Sequence, residues 1–190
     1  GVYRYFKAVS EGNRLTLLDG AGRELEHFEF PRQPKKDGLC LADYVPATGT
    51  PDTVALFLVT TGEGIRPRAE ELKNKGQYLY SHTLQSVAIE AAEGYAEKLH
   101  RDLRTLWGIP DPPELTMNDR FKAKYRGIRV SFGYPACPNL ADQEKLFRLL
   151  KPEEIGVKLT EGQMMDPEAS VSALVFHHPQ AEYFNAASTE

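Results

Sequence analysis

Val54-Ala55-Leu56-Phe57-Leu58-Val59-Thr60-Thr61 is an apolar run closed by two threonines, bounded by Pro51-Asp52 and Gly62-Glu63-Gly64. Apolarity that is continuous rather than alternating predicts a strand covered on both faces, hence one at the centre of a sheet. Upstream, the chain reads as a small meander. Val2-Tyr3-Arg4-Tyr5-Phe6 and Arg14-Leu15-Thr16-Leu17-Leu18 are separated by Glu11-Gly12-Asn13, and Asp19-Gly20-Ala21-Gly22 supplies a turn before the largely alternating Leu25–Phe30. Pro31 to Gly38 is polar and proline-containing, a loop. Downstream the period changes. From about Gln77 to Leu106, Leu79, Leu84, Val87, Ala88, Ala91, Tyr95, Leu99 and Leu103 recur mostly at three- and four-residue intervals, with Glu90, Glu93, Glu97, Lys98 and Arg101 between them. No proline interrupts this stretch and only Gly94 weakens it, which predicts one long amphipathic helix with those apolar residues as its buried side. Trp107-Gly108 stops it, and Pro110-Asp111-Pro112-Pro113 prevents its continuation. Asn139 is placed to cap a further helix over Leu140–Leu150, burying Leu146, Phe147, Leu149 and Leu150. Val171 to Phe176 reads as another buried strand, and the small, polar end from Ala186 to Glu190 is expected to fray. Strands, then a long helix, then mixed elements without regular βαβ alternation give an α+β fold.

Composition excludes several function classes. The 190 residues suffice for one sizeable domain or two small ones, and 41% hydrophobic with 26% charged residues argues against disorder or a fibrous chain. The 23 Lys and Arg against 27 Asp and Glu leave a net charge of −4, so no global basic field exists for a polyphosphate, and no basic run exceeds Lys35-Lys36. Nucleic acid is therefore not an expected partner. The longest apolar stretch, Val54 to Val59, falls far short of the ~20 residues that span a bilayer, and no secretory leader is visible, so no membrane is expected. Opening on Gly1-Val2-Tyr3 without Met suggests a piece of something longer. Cys40 and Cys137 are too few for a disulfide framework or a zinc site, which fits a cytoplasmic protein.

Familiar catalytic patterns are missing. His177-His178 are adjacent and would point to opposite faces of a strand, and His27, His82 and His100 sit on elements that sequence cannot bring together, so no metal site is expected. Phosphate-cradling glycine loops and a nucleophile elbow are absent. Cys137 between Pro135-Ala136 and Pro138 invites a nucleophile reading, but no base can be assigned, and a small structural cysteine in a rigid turn is favoured. The stretch Tyr125-Arg126-Gly127-Ile128-Arg129-Val130-Ser131-Phe132-Gly133-Tyr134-Pro135-Ala136-Cys137-Pro138 differs in kind. Its prolines fix φ, Gly133 permits close backbone approach, and a stiff, extended ribbon could present main-chain groups to a flat ligand at little ordering cost. Arg129 could fork onto a carboxylate. On local physics alone, a buried loop with Arg129 in a structural ion pair is an equally good reading.

Arg129-x-x-x-Gly133-Tyr134-Pro135-Ala136-Cys137-Pro138 resembles the S-adenosylmethionine-binding signature of the activation domain of cobalamin-dependent methionine synthase. The likeness continues in Cys40-Leu41-Ala42-Asp43-Tyr44-Val45, in Phe57-Leu58-Val59-Thr60-Thr61-Gly62, and in the helix segment Ala92-Glu93-Gly94-Tyr95-Ala96-Glu97-Lys98-Leu99-His100. It resumes in Lys158-Leu159-Thr160-Glu161 with Met165, Pro167 and Ala169-Ser170-Val171-Ser172, and closes in His178-Pro179-Gln180-Ala181-Glu182-Tyr183-Phe184. These segments occur in order and cover nearly the whole chain.

The resemblance implies a C-shaped α+β domain with a bent, mainly antiparallel sheet and flanking helices, residues 1–190 forming one S-adenosylmethionine-binding unit. It implies a module of a methyltransferase that transfers methyl from methyltetrahydrofolate to homocysteine. Here S-adenosylmethionine would remethylate a cobalamin that has become oxidised on a neighbouring domain, with the electron coming from flavodoxin or an equivalent reductase. Zinc is implied only for the homocysteine domain, not for this chain. Carried over by position, Arg129 would hold the ligand's carboxylate and the backbone of Val130, Ser131 and Gly133 would meet adenine. Tyr183 and Phe184 would lie against the ligand, Tyr134 would sit at the mouth facing the cobalamin, and Glu93 would stand near Arg129 or the ligand's cationic groups. No acid or base is implied. The family's upstream Asp-Trp-x-Pro-Phe-Phe segment is absent, because the chain starts within its first strands. Asn139-Leu140 stands where many relatives have Asp/Glu-His, and Ala123 where some have glutamate. The rival reading is a non-catalytic docking module for a flavodoxin-like reductase or the cobalamin domain, with Glu90, Glu93 and Glu97 as its acidic face.

Overall fold

The computed structural model describes residues 1–47 and 49–186. Its strands are β1 (Val2–Glu11), β2 (Arg14–Leu18), β3 (Glu24–Glu29), β4 (Asp52–Thr60), β5 (Ile128–Val130), β6 (Lys158–Leu159), β7 (Met165–Asp166) and β8 (Ser170–Phe176). Six of them form one sheet in the order β3-β2-β1-β4-β8-β5, every neighbouring pair antiparallel, while β6 and β7 make a separate small hairpin. The helices are α1 (Ile65–Asn74), α2 (Tyr78–Leu106), α3 (Met117–Phe121) and α4 (Gln143–Leu150). This is an α+β fold.

The apolar run explains the layering. β4 lies inside the sheet between β1 and β8. Val54, Leu56 and Leu58 point into one apolar cluster with Phe6, Leu15, Phe28, Leu146 and Phe176, while Ala55, Phe57 and Val59 join Ala92, Ala96, Leu103 and Val175 in a second cluster on the other face. The period-2 geometry of a strand demands this split, and it is why no polar residue interrupts the run. The meander is closed locally. Gly12 turns β1 into β2 at φ +58, and the Asp19 carboxylate accepts from the amides of Ala21 and Arg23 before β3.

The long helix is present, but its buried face differs from the one expected. Ser81, Ala88, Ala92, Ala96, His100, Leu103 and Arg104 are buried, whereas Leu79 and Val87 are 74% and 58% exposed and Tyr95 is also exposed. Three alanines at four-residue spacing let the helix lie close on the sheet, so the small side chains face inward and larger ones do not fit. Asn139 accepts from the Ala141 amide and opens a short 3-10 turn, Leu140–Asp142, that leads into α4. Leu146 and Phe147 are buried there, while Leu149 and Leu150 are only partly so. At the other end, Ala186 is buried and its amide donates to the Pro135 carbonyl at 3.4 Å rather than fraying; residues 187–190 lie outside those described.

Candidate ligand-binding site

β5 is the last strand of the sheet, and the ribbon grows out of it. Just before it, Gly127 has φ +84, and a β-carbon there would drive into the Phe176 carbonyl oxygen, so only glycine fits. After it, the segment is not extended throughout, as expected, but folds into a tight turn. The Gly133 amide donates to the Cys137 carbonyl at 3.0 Å and the Cys137 amide to that of Tyr134 at 2.9 Å. Gly133, at φ +88, sits at this turn and shapes it. Phe132 stacks on Phe28 in the core at 5.6 Å, and the buried Cys137 thiol donates to the Ser131 carbonyl at 2.8 Å. Burial pushes that thiol up to about 12, so Cys137 pins the turn and is no nucleophile.

The C-terminal segment is laid across this ribbon by three contacts. The Tyr44 hydroxyl lies 3.2 Å from both the carbonyl and the amide of Glu182. Gln33 Nε2 donates to the Asn185 carbonyl at 3.0 Å, and Ala186 bonds to Pro135 as above. The Cys40–Val45 segment is therefore a structural anchor. Leu41, Ala42, Tyr44 and Val45 are buried, and Asp43 is fixed by a bidentate pair to Arg32 at 2.6 and 2.7 Å. The Arg32 guanidinium holds the Asp43 carboxyl below its usual range.

Between α2, the ribbon and the closing segment lies a groove of about 410 Å³. It is lined by Glu93 from α2, by Arg129, Val130, Ser131, Tyr134, Pro135 and Ala136 from the ribbon, and by Tyr183 and Phe184 from the closing segment. Seven of the eight residues singled out in the sequence thus meet around one space. Gly133 does not line it, whereas Pro135 and Ala136, which were not singled out, do. Tyr134 is exposed at its edge. The Arg129 amide donates to the Tyr183 hydroxyl at 3.3 Å, which joins ribbon to closing segment. A second space of about 810 Å³ continues past Glu93, Arg129 and Tyr183 between α2 and α3, reaching Glu90, Glu97 and Phe121.

Arg129 is the cation of the groove. Its Nη2 donates to Glu93 Oε2 at 3.1 Å and its Nε lies 3.6 Å from Glu97 Oε2. Burial works against its charge, but Glu93 foremost outweighs that and keeps it protonated. Glu97 was not singled out as a site residue, although its four-residue offset from Glu93 on a helix puts both on one face. Below them stands a buried polar column. Arg104 binds Asp111 through Nε and Nη2 at 2.9 and 3.0 Å and stacks 3.9 Å over the Tyr125 ring, which His100 meets edge-on at 5.2 Å.

Among the described residues no three His, Cys, Asp or Glu side chains group to hold a metal ion, and no helix is long and apolar enough to cross a membrane. The adjacent histidines go separate ways: His177 pairs with Asp52 at 2.9 Å, and His178 stacks on Tyr44.

Residues 1–190 match the family model described as vitamin B12-dependent methionine synthase, activation domain. A methionine synthase from Mycobacterium tuberculosis is 38% identical over 97% of the chain, and one from Mycobacterium leprae is 37% identical over 97%. The chain spans 17% and 16% of the length of these two relatives. A crystal structure of the MetH reactivation domain bound to AdoHcy superposes with a TM-score of 0.92 at 30% identity, covering 97% of this chain and 60% of that one.

Proposed function

The chain belongs to the family of vitamin B12-dependent methionine synthase activation domains, and from that premise we propose that its ribbon groove binds S-adenosylmethionine and holds the sulfonium methyl outward for transfer to a cobalamin on another domain. The observation that carries this reading is the convergence of Arg129, the ribbon backbone, Tyr183 and Phe184 on one groove of about 410 Å³, within the ~300–1,000 Å³ usual for small-ligand sites. The 190 residues act as one binding unit centred on that groove.

The ligand's chemistry fits the donors present. Arg129 offers a planar fork of N–H groups to the carboxylate. Glu93, released from Arg129, faces the ammonium and sulfonium charges. The Val130 and Ser131 backbone edges the adenine, with Gly133 setting the turn that exposes it, and Tyr183 and Phe184 cover the other side. Tyr134 guards the mouth. No side chain needs to move a proton, because the cobalamin, once reduced by a flavodoxin-like protein, supplies the nucleophile. The protein's contribution is orientation: the methyl carbon must be approached along its bond to sulfur, at about 3–3.5 Å. A shallow groove between a ribbon and a helix leaves that approach open, where a deep nucleotide pocket would not. Two buried, unpaired thiols suit work in the cytoplasm. The docking alternative assigned Glu90, Glu93 and Glu97 to an interface; Glu93 and Glu97 instead turn onto Arg129.

Titration calorimetry of S-adenosylhomocysteine into the chain tests the reading, with Arg129→Ala beside it. Loss of a hydrogen bond to a charged group, ~1.5–3 kcal/mol, is expected to weaken binding roughly tenfold to a hundredfold in a variant that still melts cooperatively. No binding by the wild type, or equal binding by the variant, contradicts the assignment.

A further inference from the structure

Glu93 and Glu97 leave α2 one turn apart and both reach Arg129, but they are held differently. Glu93 is the more exposed, 46% against 32% for Glu97, and meets the outer Nη2 of Arg129. Glu97 stands at the inner Nε, and its Oε2 also accepts from the Tyr125 hydroxyl at 3.3 Å. Tyr125 cannot move freely, because the Arg104 guanidinium lies 3.9 Å over its ring and His100 abuts its edge. Arg104 is in turn fixed by Asp111, both side chains being at most 6% exposed. One chain of contacts thus runs Asp111, Arg104, Tyr125, Glu97, Arg129. At its end the Arg129 Nε and Glu97 Oε1 are buried without a hydrogen-bond partner, though the two side chains face each other at ion-pair distance. A small tightening satisfies both.

We infer that Glu97, anchored by Tyr125, is the positioning residue for Arg129: it holds the inner edge of the guanidinium while the outer edge exchanges Glu93 for a ligand carboxylate. This rests on the groove reading above. A long arginine loses rotamer freedom when it binds, and a fixed inner partner lowers that cost before the ligand arrives. With Nε tethered, the guanidinium plane is set, so the outer N–H groups are aimed into the groove whether Glu93 or a ligand occupies them. The tether acts only on ligands that carry a carboxylate.

The experiment compares two ligands with one nucleoside: S-adenosylhomocysteine, which has the amino-acid arm, and 5′-methylthioadenosine, which does not. Both are titrated into the full chain as wild type, Glu97→Gln and Tyr125→Phe. Glu97→Gln keeps the shape and removes the charge; Tyr125→Phe keeps the ring and its stacking and removes only the anchor. The expected result is a loss of about tenfold or more for S-adenosylhomocysteine in Glu97→Gln, a smaller loss of roughly threefold to tenfold in Tyr125→Phe, and no change for 5′-methylthioadenosine in either. Equal losses for both ligands point to a merely structural role and overturn the inference. So does unaltered S-adenosylhomocysteine binding by Glu97→Gln while the wild type binds. A wild type that takes up no S-adenosylhomocysteine overturns the groove reading and this inference with it.

Discussion

His100 is a wholly buried histidine, and neither of its ring nitrogens has a hydrogen-bond partner. Burial first, then the charges of Arg104 and Arg129, hold its pKa well below the ordinary histidine value. In the unfolded chain the ring titrates near ~6.5. Below that pH the unfolded state takes up a proton that the folded state refuses, so stability falls as the pH drops through ~6.5, by up to ~1.4 kcal/mol per pH unit; above it there is no effect. Replacing His100 by Phe keeps a ring against Tyr125 and removes the proton site. Urea midpoints between pH 7.5 and 5.5 should fall less in His100→Phe than in the wild type, and parallel curves would contradict this account. At this scale the sequence displayed Arg129, because a lone cation in a proline- and glycine-rich ribbon stands out. Glu97, Tyr125 and His100 were hidden, since a glutamate on a charged helix face and a histidine on a helix look ordinary until the fold brings them beneath the ribbon.

The helix α2 shows what periodicity can and cannot give. Its length followed from the absence of proline and the stop at Trp107-Gly108, and Tyr78–Leu106 agrees. Its inward face did not follow, because a search for large apolar residues overlooks a stripe of alanines selected for close approach to the sheet. Ala96 is fully buried against that sheet. Ala96→Leu should therefore cost ~1–3 kcal/mol through overpacking. Gly94 lies on the open side, where an added β-carbon meets nothing within 4 Å. Gly94→Ala should stabilise by about 0.5–1 kcal/mol, roughly 2–4 °C in Tm per kcal/mol. Thermal melts of the two variants should move in opposite directions; if both fall, the close-packed face has been misassigned. α1, with only Ala69 buried, and the one-turn α3 escaped the sequence reading, as did the β6–β7 hairpin. Short, polar elements carry too little apolar pattern to register, although the Thr116-to-Asp119 capping box was a usable signal for α3.

Across the whole molecule, the site is assembled from parts far apart in sequence. The meander side contributes Tyr44 and Gln33 as anchors, α2 contributes the carboxylates, the sheet edge contributes the ribbon, and the C-terminal segment closes over it. The order of motifs revealed the family, and hence the membership of the groove. Local physics alone left the ribbon undecided between a ligand platform and a buried loop, because exposure is a property of the packed chain. In the fold, the ribbon is both: Phe132 and Cys137 are inside, while Ser131 and Tyr134 face the groove. The central claim is that this groove holds a sulfonium nucleoside with its transferable carbon outward. It is tested most directly by NMR of S-adenosylmethionine carrying a ¹³C-labelled methyl, bound to the chain in the presence of a soluble paramagnetic agent. The methyl resonance should broaden nearly as much as in the free ligand while the adenine protons are protected. A shielded methyl with an exposed adenine would contradict the account.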